Sequence, residues 1–345
     1  MTLSIFEGQP PDATAKLPVV EEDRPRRIAP GLSTSDHVFH AVTRSVAIFV
    51  LLLVGAIGVM LGYQLIPTVH RYGFNFLTGT SLDLSRNLIG IVPALVGTIQ
   101  IALIALVIAF PLALAMALYI SEYAPNWLKS TAIAAIDLMA AIPSIIFGMW
   151  GLILLEPRTL YLSRWVHQNL GWIPIFHVDT DPNAASWAQY RYTGSAFIAA
   201  ICVAMMVIPI ACSVMRGVFA QAPIGEREAA YALGSTKWGM IRTVVLPFGR
   251  GGIVGGTMLS LGRALGETIA VLLIISPAFE IKASVIEVGA NTVAALIAGR
   301  FGEATSGQLS ALLTAGFVLF LITLLVNTLA AIIVSRSRSG ASTEI

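Results

Sequence analysis

The chain has 345 residues, 56% of them hydrophobic and 12% charged, with a formal net charge of +2. Its mean hydropathy is +0.81. A water-soluble domain has about 45–50% apolar and about 25% charged residues, so this composition excludes one and points to a polytopic membrane protein. The small net charge gives no reason to expect a nucleic-acid partner.

Residues 1–36 are polar and proline-rich, with the run Glu21-Glu-Asp-Arg-Pro-Arg-Arg27 and no early apolar core. They do not read as a signal peptide, and a flexible cytoplasmic tail is expected there. Residues 37–338 form the membrane domain, and 339–345 a second cytoplasmic tail. A spanning helix needs about 20 mostly apolar residues. Six segments meet that length, at about 42–66, 92–120, 130–155, 194–215, 251–275 and 309–334. The fold class expected is all-α, a bundle of six transmembrane helices. Pro111 is expected to kink the second span. Pro143 in the third can break the helix and free backbone groups toward a cavity.

The longest polar connection, 156–193, carries Trp165, Trp172, Trp187, Tyr190 and Tyr192. Aromatic residues near span ends mark the headgroup region, and a docking surface for an external partner is the alternative. Lys and Arg set orientation. With the amino terminus inside, thirteen fall on the inner side and seven outside, with Arg263 within the bilayer. Both termini and the loop 221–247 are therefore expected in the cytoplasm, and the connections 156–193 and 276–308 outside. Cys202 and Cys212 share one apolar segment. Ten residues apart on a helix, they are separated by about 15 Å, too far to bridge, and read as small buried residues. The five histidines lie outside the spans, and no cluster has metal-ligand spacing.

The loop between spans four and five begins Pro223-Ile-Gly-Glu-Arg-Glu-Ala-Ala-Tyr-Ala-Leu-Gly234. Proline suits a helix start, and Glu226 and Glu228 in the first turn complement the helix dipole. Ala229, Ala230 and Ala232 favour helix and leave little bulk. Gly234 is placed to end it. A second short helix then runs toward Pro247. Such a small-residue helix can lie close in a groove of another protein.

These residues resemble the EAA pattern of ABC importer permeases. Glu228-Ala-Ala is followed after three residues by Gly234, and after nine more by Val244, one residue, then Leu246-Pro247. The resemblance implies a type I importer permease whose short helix docks on an ATP-hydrolysing subunit, with Glu228, Ala229, Ala230 and Gly234 as coupling residues. The chain has no phosphate-cradling G-x-x-x-x-G-K-[ST] motif. It is therefore not expected to be an enzyme or to bind a cofactor, and ATP is expected to be used by a partner subunit.

The fifth span carries two ionisable residues, Arg263 and Glu267. An ionisable residue at membrane depth costs about 2.5–3.5 kcal/mol, so both should face protein or a wet cavity. Four residues apart on a helix, they are expected to share a face and to neutralise each other. Two readings stay open, a buried pair that sets packing and a site where the guanidinium meets an anionic solute. Gly252, Gly256 and Ser260 lie on roughly the same face and invite close helix approach. Asp137 is a further charge within a span.

Thr257-Met-Leu-Ser-Leu-Gly-Arg-Ala-Leu-Gly-Glu-Thr-Ile-Ala270, with Ala140-Ala-Ile-Pro-Ser-Ile-Ile-Phe-Gly148 in span three, is similar to the phosphate ABC importer permeases of the PstC and PstA types. The long external loop and tail favour the PstC type. The resemblance implies that Arg263 and Glu267 line the phosphate pathway. Ser260, Asp137 and Pro143 are candidates for its wall. It also implies the partners: ATPase subunits of PstB type, a PstA-type second permease forming a heterodimer, a PstS-type extracytoplasmic binding protein and the lipid bilayer of the cell membrane. The alternatives are a PstA-type chain, the permease of another oxyanion importer, and an ion-coupled carrier working without ATP. The EAA-like loop argues against the last.

Overall fold

The computed structural model describes residues 34–80, 82–83, 88–178 and 190–335. Most of the amino-terminal tail, the carboxy-terminal tail and Trp187 lie outside the described residues. The chain divides into two units, Met1–Val54 and Gly55–Ile345. The first contains, within its described part, the beginning of helix α1 (Thr34–Tyr63). There Val46, Phe49, Leu51 and Leu52 are exposed, as suits a helix facing lipid.

In the second unit α1 is followed by α2 (Leu65–Tyr72), α3 (Asn75–Thr78) and a two-stranded antiparallel ladder, β1 (Leu82–Asp83) with β2 (Leu88–Ile89), in which Leu82 pairs with Ile89. Next come α4 (Val92–Leu118), a π-helical turn over Tyr119–Tyr123, α5 (Asn126–Ala141), α6 (Ser144–Trp150), a second π-helical turn over Gly151–Leu155, and α7 (Glu156–Leu170). Then follow α8 (Ala196–Phe219), α9 (Ile224–Ala232), α10 (Lys237–Met240), a third π-helical turn over Ile241–Val245, α11 (Leu246–Phe248), α12 (Arg250–Leu265), α13 (Ile269–Ile274), α14 (Val293–Arg300) and α15 (Ser306–Ser335). Among the described residues five helices are long and apolar enough to cross a membrane. The pair Lys237–Phe248 and Arg250–Leu265, bent by 66°, makes a sixth.

The centre is the seam between α4 and α8. The face that α4 buries is almost all small: Ala94, Gly97, Thr98, Ala102, Ala105, Ala109, Ala113 and Ala117, with Ile101. Helix α8 answers with Ala199, Ala200, Val203, Ala204, Val207 and Ala211. Without a hydrophobic drive between helices in lipid, close approach through small residues supplies the packing energy. Helix α12 joins this seam through glycines. A Cβ on Gly256 would stand 3.1 Å from the Ala211 carbonyl oxygen.

Two expected spans are divided. The third, expected as one helix over 130–155, breaks at Ile142 and Pro143. Proline offers no N–H and pushes its predecessor to extended backbone, and Ile142 sits at φ −66°, ψ 128°. The helix there that is long and apolar enough to cross a membrane runs instead from Ser144 to Leu170. Residues 156–170, expected in the external connection, therefore continue the helix. They do so because Thr159, Ser163, Val166 and His167 form a buried stripe at helical spacing, and because Glu156 Oε1 accepts the Gly194 N–H at 3.0 Å. The fifth span, expected as one helix over 251–275, breaks at 266–268 between α12 and α13.

The segments that follow the two breaks pack on each other. A Cβ on Gly148 of α6 would stand 2.7 Å from the Ala270 Cα and 3.0 Å from Leu273 Cδ1, both on α13. Gly148→Leu is expected to destabilise the chain by about 1–3 kcal/mol through overpacking, read as a lower melting temperature in detergent. Gly217 in α8 has open space around it, so Gly217→Ala is expected to leave that temperature unchanged or raise it slightly.

Candidate functional site: a docking helix and a broken charged span

The docking helix α9 forms as its sequence expects, with Pro223 at its amino-terminal cap and Glu226 in the first turn. It ends where Gly234 takes φ +82°, a left-handed conformation that costs most other residues about 1–2 kcal/mol. The Gly234 N–H bonds the Tyr231 carbonyl and the Ser235 N–H the Ala230 carbonyl, at 2.9 and 3.1 Å. Helix α10 then starts with Thr236 Oγ1 accepting from the Gly239 N–H at 3.1 Å.

The four predicted coupling residues do not share one environment. Glu228, Ala229 and Gly234 are exposed, whereas Ala230 is buried. It joins an apolar cluster with Ile136, Met240, Ile241 and Val245. Ala230 thus seats the helix, and the other three face outward. Around them Ile224, Tyr231, Leu233 and Trp238 are also exposed, Leu233 at 88%. An exposed apolar patch rimmed by polar groups marks an interaction surface.

Arg227 was not singled out by its sequence. Its Nη1 lies 3.1 Å from Glu122 Oε2, and its Nη2 donates to the Phe219 carbonyl at 2.6 Å. No spacing rule links residues 105 apart. The available signal was Glu122 itself, an acid at the end of an apolar span.

The charged pair differs from expectation. Arg263 is in the last turn of α12 and exposed, whereas Glu267 is 8% exposed and lies beyond the helix end. Among the described residues they form no ion pair, so the shared helical face expected from their spacing is corrected. The break falls at Gly266. The helix stops there, with the Gly266 N–H bonded to the Gly262 and Arg263 carbonyls at 3.3 and 3.2 Å. Thr268 Oγ1 donates to the Gly266 carbonyl at 3.0 Å. Without a continuing helix, residue 267 turns off the Arg263 face. Glu267 lies within electrostatic range of Cys202 on α8.

Ser260 is buried, its hydroxyl donating to the Val207 carbonyl of α8 at 3.4 Å. Asp137 on α5 and Pro143 at the break are both exposed. The structure therefore brings together the two helix breaks through α6 and α13. It leaves Arg263, Asp137 and Pro143 open while Ser260 and Glu267 turn inward. Cys202 and Cys212 are free and buried, as expected from their spacing.

This architecture, a small-residue bundle with a docking helix between its fourth and fifth spans, is that of a type I ABC importer permease. A chain of a bacterial ABC transporter involved in the import of the acidic polysaccharide alginate superposes with a TM-score of 0.53 at 18% identity, covering 87% of this chain and 99% of that one. A chain of the alginate transporter in complex with its alginate pentasaccharide-bound periplasmic protein gives 0.53 at 17% identity, covering 89% and 96%. Residues 109–339 match the family described as binding-protein-dependent transport system inner membrane component.

Relatives share much more sequence. The phosphate transport system permease protein PstC of Pasteurella multocida is 36% identical over 310 residues, covering 87% of this chain and 91% of that one. Its counterpart from Xylella fastidiosa strain Temecula1 is 39% identical over 306 residues, covering 88% and 91%. That of Mesorhizobium japonicum is 36% identical over 329, covering 94% and 98%. The chain belongs to the binding-protein-dependent transport inner membrane component family and, within it, to the PstC permeases. It is a multi-pass membrane protein.

Nothing lies within 4 Å of a Cβ added at Gly234, so any cost of replacing it comes from backbone alone. Gly234→Val is expected to fray the last turn of α9 by about 1–2 kcal/mol. Hydrogen–deuterium exchange over residues 224–234 is expected to speed up about tenfold, and Gly234→Asn to exchange as the parent does.

Proposed function

We propose that this chain is the membrane permease subunit of an ATP-driven inorganic phosphate importer. One observation carries the reading: relatives named as phosphate permeases align over 87–94% of the chain, a stretch that includes both the docking loop and the span of Arg263. The chain itself binds no cofactor. ATP is hydrolysed by a pair of PstB-type subunits in the cytoplasm, a PstA-type permease supplies the other half of the pathway, and a PstS-type protein delivers phosphate outside. Both termini and α9 face the cytoplasm, in keeping with the Lys and Arg bias.

The chemistry follows from the two groups of residues. Glu228, Ala229 and Gly234 present a low, partly acidic surface for the ATPase cleft, and Ala230 seats the helix on the bundle. When the ATPase subunits close on ATP, α9 is displaced and access switches from outside to inside. Arg263 meets the anion. Its guanidinium presents a planar fork of donors that matches phosphate oxygens in pairs, and its exposure leaves that fork open. Rewinding of the break at 266–268 would carry Glu267 onto the Arg263 face. The acid is then the counterion that replaces phosphate once it has left. Asp137 and Pro143 line the same route, and Ser260 holds α12 to α8 beside it.

Arg263→Gln is expected to lower phosphate uptake by about 10- to 100-fold, the range for a lost charged hydrogen bond, while the complex assembles and binds ATP. Uptake into proteoliposomes with competing anions checks this, and full phosphate uptake by that variant would remove Arg263 from the pathway. Deleting residues 221–247 is expected to abolish co-purification of the ATPase.

A further inference from the structure

The docking loop touches the membrane bundle at a second place, far from it in sequence. Arg227 Nη1 lies 3.1 Å from each carboxylate oxygen of Glu122, and Nη2 is anchored on the Phe219 carbonyl. The Glu122 side chain is 4% exposed and that of Arg227 21%. Ser121 Oγ donates to Glu122 Oε1 at 2.8 Å and orients the carboxylate. From the second short helix, Lys237 Nζ stands 4.7 Å from the centroid of the Tyr123 ring. Three consecutive residues, Ser121 to Tyr123, thus take part in a grip that both helices of the loop make on the end of α4. They sit in a π-helical turn, closed by the Ala124 N–H on the Tyr119 carbonyl at 2.7 Å. Such turns are rare overall and frequent at functional sites, where the helical ladder yields locally.

The covalent route from α9 to the charged span is indirect. It passes the left-handed Gly234, where an added Cβ would meet nothing within 4 Å, then α10, another π-helical turn at Ile241–Val245 and Gly249 before α12 begins. An ion pair of this burial behaves differently from a surface pair, which contributes little. Separating its partners strands a charge in a poorly solvated place, so α9 and the end of α4 move together. Helix α4 packs along α8 and also against α12, whose last turn holds Arg263.

We propose that the Arg227–Glu122 pair is the link through which displacement of α9 reaches α4, so that the pair sets how much phosphate is moved per ATP hydrolysed. Both are positioning residues, and neither touches the transported anion. The inference rests on the permease reading above. It differs from docking itself, because Arg227 turns inward on the helix whose Glu228 and Ala229 face out.

The test uses the full complex, reconstituted in liposomes with its binding protein, with phosphate uptake and ATP hydrolysis measured together. Glu122→Gln and Arg227→Gln are each expected to lower phosphate moved per ATP by about tenfold, and the double variant to be no worse than the worse single one. Arg227→Lys, which keeps the charge, is expected to recover most of the ratio. Ser121→Ala strands no charge and is expected to lower it by about threefold. In all of these the ATPase subunits stay in the purified complex. An unchanged ratio in the single variants, multiplying losses in the double variant, or loss of the ATPase from the complex each overturns the link. A parent complex that takes up no phosphate on ATP overturns the permease reading and the link with it.

Discussion

The alanine seam between α4 and α8 is the contact on which the rest of the structure depends. In lipid, burying an apolar side chain against another helix gains little over leaving it against acyl chains, so large residues do not hold helices together. Small ones do, by letting backbones approach and dispersion contacts accumulate. The stripe from Ala94 to Ala117 and its partners on α8 form such a contact. Helix α12 is fitted to the same seam by Gly252 and Gly256. A Cβ at Gly252 would stand 2.5 Å from the Val218 side chain, so a larger residue there would force the helices apart. The charged span and the docking loop are both suspended from this one assembly.

On that frame, the breaks have a purpose that straight helices lack. Backbone groups at membrane depth must be satisfied internally or face protein or a wet cavity. Pro143 and Gly266 nonetheless interrupt the expected spans 130–155 and 251–275, and the segments beyond them, α6 and α13, pack through Gly148. The interruption of span five separates two charges that an unbroken helix would pair. Arg263 is left open and Glu267 enclosed.

The docking loop shows how a membrane bundle presents a soluble surface. Ala230 and Arg227 face the bundle, one by apolar contact and one by charge, which leaves Glu228, Ala229 and Leu233 outward. The small residues here allow a partner close, as they do inside the seam. The same side-chain economy therefore serves packing within the bundle and leaves a low, exposed surface on α9.

Much of this was legible in the residues alone. Four of the six apolar stretches, the EAA spacing from Glu228 to Pro247, and Gly234 as a helix stop follow from hydropathy, local propensity and short-range geometry, and all of these act within a few residues of chain. Pro143 signalled a break because a missing N–H is a local fact. The relation of Arg263 to Glu267 was not legible. Four-residue spacing pairs side chains only if the helix continues, and whether it continues past Gly266 depends on what α13 packs against. The same holds for the helix beyond residue 155, which survives because a stripe on α7 finds a buried face. It holds also for Arg227 and Glu122, whose pairing exists only once α9 has folded back under the end of α4. Local chemistry determined the parts and the places where they bend. Burial, which needs the neighbours in position, decided which charges meet.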